Sequence, residues 1–526
     1  MHKWGSRFIV LTLLATSVLV AGPSYSQSLK IQTINIVIEP IFSQQEEEKG
    51  GLYQTANEWH INTKPYVIRR LLPFKEGDLI EPRDISEAER ILRRQSFLRN
   101  AEITVLPSDD GIELKVRTWE TWTLFPTVDI KRAGGNTDFS YGIQDANLLG
   151  HGLGATIEYF SEQERTGYSL LLASNVLTDS HVRSHLILSD NSDGEQYAFG
   201  VGKPFYTLND QWALHFDVNV ERKEETIYSN DIKINQFSHD IENFNMSYAI
   251  SDGIKDGAVW RYYAGFTHDK SDFYELDTTI ALPENRDLSY PWIAVEFQQD
   301  QFIKSKNLYL IGRTEDVQLG WFYRFQLGLN LNHANYHNSL LWSSLLRYRQ
   351  QSGPNNLYQV YLSSRGVEGN GLEPTTHYYQ MGYEHFYHAS QSRTWYAKIG
   401  YSAADNPYID QPIAIGGETG LRGYPLEYQH GNKSLVINLE KRYYPDLNIL
   451  QLLDVGFVGF VDIGKASGAT QYPNQEDGTL ISAGIGLRLF VSRSSGRNLI
   501  NIDFATPLNS DYLSGLDVSV TIKGSF

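Results

Sequence analysis

Arg422 stands in Leu421-Arg-Gly-Tyr424, near the end of a glycine-rich connection, IAIGGETGLRGYP over 413–425. Forty residues later, GFVDIGKA over 459–466 is an apolar strand that carries one carboxylate, Asp462. A guanidinium keeps its charge and offers a planar fork that fits a carboxylate through two parallel hydrogen bonds. The chemistry on offer is therefore an ion pair that pins a loop, with no bond made or broken. Asp462 is the first partner expected for Arg422, and Glu440, on the strand after the connection, is the second. Gly423 leaves no Cβ where a loop tip must approach a wall, and Pro425 stiffens the exit. The competing reading is a solvated arginine without a fixed partner.

Other constellations are weaker. Gly150-His-Gly-Leu-Gly154 and Gly484-Ile-Gly486 are fragments of glycine fingerprints without a βαβ setting, which argues against nucleotide binding. His385 and His388 stand three apart beside aromatics but lack a third ligand, and a strand-end aromatic girdle accounts for them. The chain has no G-x-S-x-G elbow and no carboxylate pair in a hydrolytic setting. No catalytic residue, metal ligand or cofactor is expected, and the chain is not read as an enzyme. The absence of cysteine removes disulfides and thiolate metal sites, and fits a chain that crosses an oxidising compartment unfolded. A net charge of −17 speaks against nucleic acid as a partner.

The elements that would position these residues read in three parts. In residues 1–26, Lys3 and Arg7 precede an apolar stretch over 8–21, and Ser24-Tyr-Ser26 supplies small residues for cleavage before Gln27, as in an export signal. Residues 27–118 read as a small α+β domain. A strand at 29–38 is followed by a polar connection, whose EEEK run over 46–49 reads as a solvated loop. Next come a helix after Thr63 with Pro65 in its first turn and a break at 74–78. A second helix is expected to start in a capping box of Asp84 with Glu87, and strands follow near 101–106 and 112–116. Arg90, Arg93, Arg94 and Arg99 form either a docking face or, as the plainer reading, a solvated helix face.

From 119 to 526 helical periodicity gives way to short segments of period two. Ile500, Ile502 and Phe504 alternate with Asn501 and Asp503, and Trp395, Ala397, Ile399 and Tyr401 alternate with Tyr396 and Lys398. Leu516, Val518, Val520, Ile522 and Phe526 share one face of the last segment. About four hundred residues of such strands, with no second domain, suggest an all-β transmembrane barrel, apolar outward to lipid and polar inward to a wet lumen.

Leu421–Tyr424 resembles the (V/I/L)-R-G-(F/Y) signature of the BamA–TamA–FhaC superfamily, and Phe460–Gly464, FVDIG, resembles its F-x-D-x-G strand motif. The segment FKEGDLI…ISEAERILRRQSFLRNAEITV resembles a POTRA domain, apart from a long insertion over 39–62, and the terminal Phe526 resembles an outer-membrane sorting signal. The resemblance implies sixteen antiparallel strands, although periodicity marks more candidates than sixteen. It also implies an inward-folded loop, about 403–432, locked by Arg422, Gly423 and Tyr424 against Asp462 or Glu440. Phe460 and Gly464 are the matching strand residues. The expected place is the bacterial outer membrane, with the POTRA-like domain in the periplasm. The expected partners are unfolded outer-membrane or secreted polypeptide and outer-membrane lipid, with periplasmic chaperones or accessory proteins as candidates. The alternative is a passive channel or structural surface antigen.

Overall fold

The computed structural model describes residues 28–524 except 134–135, 163–164, 231, 333–337, 370–374, 473 and 496–497. The export signal at 1–26 and Phe526 lie outside the described residues.

The N-terminal domain runs β1 (Leu29–Glu39), α1 (Gln44–Glu47), α2 (Gly51–Trp59), α3 (Pro65–Leu71), β2 (Leu79–Ile80), α4 (Pro82–Arg93), β3 (Leu98–Ser108) and β4 (Gly111–Glu120). Its sheet has the order β2-β1-β4-β3, with β1 parallel to β4 and β3 antiparallel to it. Val67, Ile68 and Leu71 of α3 and Ala88 and Leu92 of α4 bury against Ile31, Ile34, Leu114 and Val116 of the sheet. Both helices thus turn an apolar stripe to this core. Three expectations are corrected. The insertion is not a plain solvated loop, since it holds α1 and α2, and Glu46 pairs with Arg493 of the barrel at 2.6 Å. The N-cap of α4 is Glu81, with Asp84 at its third position, because Pro82 fits the first turn, where no N–H bond is needed. The domain boundary lies slightly beyond 118, since Trp119 still pairs with Glu39 and Glu120 with Leu98.

From β5 (Leu124–Ala133) to Asp517–Gly524 the chain forms one closed antiparallel barrel. Among the described residues it contains twenty strands of eight residues or more, against the sixteen expected. The surplus segments are wall strands. The six between residues 124 and 203 are nine or ten residues long, enough for a tilted strand to cross a bilayer core. Side chains alternate as read: Phe457, Val461, Leu435, Leu439 and Ile485 are exposed outward, whereas Glu440, Asp462, Arg488 and Asp503 are buried inward. The closing seam is thin. Between the last strand and β5 the described residues register a single pair, Val520 with Arg132.

A wall of twenty strands encloses more space than its own side chains fill, and two insertions occupy it. At the end bearing the N-terminal domain, the strands Phe302–Lys306 and Thr314–Gln318 form an inner hairpin. Its Leu308 and Val317 pack on Leu357, Phe386 and Tyr396, and its Leu310 and Ile311 on Tyr444, Phe490 and Leu499. At the opposite end, residues 406–432 fold inward. There Asp410 holds Arg286 at 2.7 and 2.8 Å, and Glu427 accepts from the Tyr228 N–H at 2.8 Å.

Candidate functional site: the inward loop and its ion cluster

The tip of the inward loop is seated by apolar contacts before any charge is counted. Leu421, Tyr424, Tyr428 and Ile415 bury with Ala466 and Leu480 of the wall. Gly464 lies beneath them: a Cβ there would sit 3.1 Å from a Leu421 methyl and 3.2 Å from one of Ile415. Gly423 has φ +87°, a left-handed conformation that favours glycine, and a Cβ there would come within 3.2 Å of Ala505. The Tyr424 hydroxyl meets the backbone of Ile481, donating to its carbonyl at 3.1 Å, and the side chain of Asn509 at 3.2 Å.

This seating delivers Arg422 to the inner face of two strands. Its Nε and Nη2 donate to Oδ2 and Oδ1 of Asp462 at 2.7 and 2.8 Å, and its backbone N–H reaches Oδ2 at 3.3 Å. Its Nη1 lies 2.9 Å from Glu440 and 3.6 Å from Asp503. The guanidinium plane rests over the Phe460 ring, 3.5 Å from its centroid, a cation–π contact in a drained setting. Asp462, which is 0% exposed, also accepts from the Asn438 amide at 2.8 Å, and that amide donates to the Gly420 carbonyl. Arg442 pairs with Glu440 at 2.8 Å and Arg488 with Asp503 at 2.7 Å. Three guanidiniums thus face three carboxylates. Neutrality matters here, because an unmatched buried charge costs several kcal/mol.

Each residue named from the sequence takes its place: Arg422, Gly423, Tyr424, Asp462, Glu440, Phe460 and Gly464 are assembled in one site, and both acids contact Arg422. Sequence reasoning missed Asn438, Arg442, Arg488 and Asp503. Two signals were available: Arg442 stands two residues after Glu440, hence on the same face, and Asp503 stands on the polar face of its strand. His385 and His388 bond Asn356 and Thr394 at strand ends. Every acid of the cluster is engaged by a guanidinium, so the arrangement is suited to holding a loop rather than to moving protons.

The cluster borders a lumenal cavity of about 1630 Å³. Arg442 extends the linkage further, donating to the Leu308 carbonyl of the inner hairpin at 2.9 Å. The hairpin in turn touches the N-terminal domain through Asp316 and Arg93. The arginines of α4 are accordingly split. Arg90 and Arg93 are buried against the hairpin, so the solvated-face reading fails for them, while Arg94 is exposed.

No family model and no curated protein matches the sequence. Solved structures do. CdiB from Escherichia coli superposes with a TM-score of 0.50 at 14% identity, over 94% of this chain and 76% of that one. BamA from Haemophilus ducreyi lacking POTRA domains 1–3 gives 0.40 at 12% identity, over 94% and 84%. The FrpB iron transporter from Neisseria meningitidis gives 0.42 at 7% identity, over 93% and 90%. At these identities the likeness to CdiB establishes a shared fold.

Proposed function

We propose that this chain is an outer-membrane barrel of the BamA–TamA–FhaC type that inserts, assembles or translocates polypeptides. In this reading the N-terminal domain acts as a POTRA module in the periplasm, and the inward loop acts as an internal lock. One observation carries it: the two motifs on which the resemblance rests, far apart in sequence, meet inside the barrel as the Arg422–Asp462 fork. The fold shared with CdiB supports it, as does the exposed apolar outer face, which suits lipid. The thin seam supports it too, since few backbone bonds need part for a strand of client protein to add there. The work is mechanical and needs neither cofactor nor covalent catalysis.

The N-terminal sheet supplies the receiving edge. β3 is its edge strand and among the described residues pairs only with β4, so an extended chain can add there by backbone hydrogen bonds. A second reading, a passive channel, draws on the size of the lumenal cavity. A photo-crosslinker at Thr104, exposed on β3, separates the two in the full chain. Capture of unfolded outer-membrane or secreted polypeptide is the expected result. Steady open conductance of the purified barrel, with no polypeptide captured, would overturn the reading.

A further inference from the structure

Glu89 and Arg93 of α4 pair with each other at 3.2 Å, and each also reaches both β3 and the inner hairpin. Glu89 accepts the backbone N–H of Ile103 on β3 at 3.0 Å and the ammonium of Lys304 on the inner hairpin at 2.9 Å. Arg93 donates to the Ala101 carbonyl of β3 at 3.1 Å and forks onto Asp316 of the hairpin at 2.9 and 2.8 Å. Arg313, in the hairpin's turn, donates to the Leu98 carbonyl at 2.7 Å, and the Arg90 guanidinium lies 3.7 Å from the Phe302 ring centroid. In an antiparallel edge strand, alternate residues turn their backbone groups away from the partner strand. Residues 101 and 103 are two such positions. Their outward groups, which an added strand would use, are already taken by side chains that also hold the hairpin.

We infer that the inner hairpin is an autoinhibitory occupant of the groove between α4 and β3. The external ligand of that groove is an extended polypeptide segment with an acidic side chain in the place of Asp316. This deepens the polypeptide-handling reading above and rests on it. Strand addition needs the Ile103 N–H and the Ala101 carbonyl, so it must lift Glu89 and Arg93 off the backbone. Arg93 is 6% exposed and keeps Glu89 at 3.2 Å, but losing Asp316 costs it a two-bond fork in a buried place, so a carboxylate on the incoming strand is what replaces Asp316. Arg90, stacked on Phe302 beside it, adds to the positive character of the groove. Losing Asp316 and Lys304 from α4 loosens the hairpin at its domain-facing side, leaving Arg313 on Leu98 and Phe302 on Arg90. Its remaining hold on the wall includes the Leu308 carbonyl on Arg442, which is paired to Glu440 and through it adjoins Arg422. Capture outside the barrel and release of the lock inside it would therefore share one mechanical path.

The test uses the purified full chain in phosphatidylethanolamine–phosphatidylglycerol vesicles, with a photo-crosslinker at Thr104. The probes are two synthetic extended peptides that differ in one Asp or Asn. Asp316→Asn removes the occupant's charge. Lys304→Gln loosens the second tie at a half-exposed position. Capture of the Asp peptide should rise roughly tenfold in either variant, with the Asn peptide well behind, and conductance should rise when peptide is added. Equal capture by wild type and both variants would overturn the inference and leave the broader reading standing. Equal capture of the two peptides would overturn the acidic ligand. Capture by none of the proteins would overturn the broader reading, and this inference with it.

Discussion

The guanidinium of Arg422 and the carboxylate of Asp462 meet through two side-chain hydrogen bonds of 2.7 and 2.8 Å, and the Arg422 backbone N–H bonds the same carboxylate. The aspartate thus fixes the backbone of the loop tip as well as its charge. Phe460, two residues earlier on the same inward face, closes the guanidinium from below. A lysine could keep the charge but not the fork or the stacking.

Arg422→Ala should leave Asp462 without its guanidinium, while Glu440 keeps Arg442, and release the loop. The expected loss is about 3–5 kcal/mol for a fully drained pair, and less where water enters. The check is the urea midpoint of heat-modifiable barrel folding together with transport, and Arg422→Lys should recover only part of either. Transport unchanged in Arg422→Ala would sink the lock.

Gly423→Ala places a side chain at φ +87° and a Cβ within 3.2 Å of Ala505. The expected cost is about 1–3 kcal/mol, concentrated in the loop. Limited proteolysis across 406–432 should show faster cleavage while the barrel stays resistant.

Tyr424→Phe keeps the apolar seating and removes the hydroxyl that serves Ile481 and Asn509. A loss of about 1 kcal/mol is expected. Equilibrium unfolding should therefore move modestly, well short of the Arg422→Ala shift.

Paired cysteines at Val520 and Arg132, the one pair registered across the seam among the described residues, should form a disulfide in this otherwise cysteine-free chain. If clients use the seam, oxidation stops insertion and dithiothreitol restores it. Insertion unaffected by the crosslink would exclude that route.

Burial pushes the Glu315 carboxyl up to about 7, although the N–H groups of Leu308, Tyr309 and Leu310 and the charge of Arg442 pull the other way. A raised value means that the seated hairpin holds the proton more tightly than the free one. Its contribution is complete below the ordinary value of 4.5 and is lost as pH rises through about 7. Protease access to the turn at 307–313 should therefore increase between about pH 5 and about pH 8. Glu315→Gln should flatten that profile.

Much of the architecture was legible because its causes are local. Period-two alternation around 395–401 and 500–504 marks strands and assigns their faces, since successive side chains of any strand point to opposite sides. Pro65 in a first turn marks the start of α3 by the same kind of local argument. Arg422 and Asp462 could be matched because each is the one charge of its sign in its stretch, and Glu440 because it shares the strand that follows the loop.

What the sequence determined by itself was the kind of element at each position, the two faces of the wall and the short list of groups able to pin the loop. Only the tertiary structure decided that twenty strands close the barrel, because each strand pairs with its neighbour in the same way whatever the total, and closure depends on tilt and stagger summed round the ring. It alone placed residues 302–318 inside the lumen. Asp316 is largely covered where Arg93, 223 residues earlier, arrives beside it, and such a match across the fold leaves no mark in either neighbourhood.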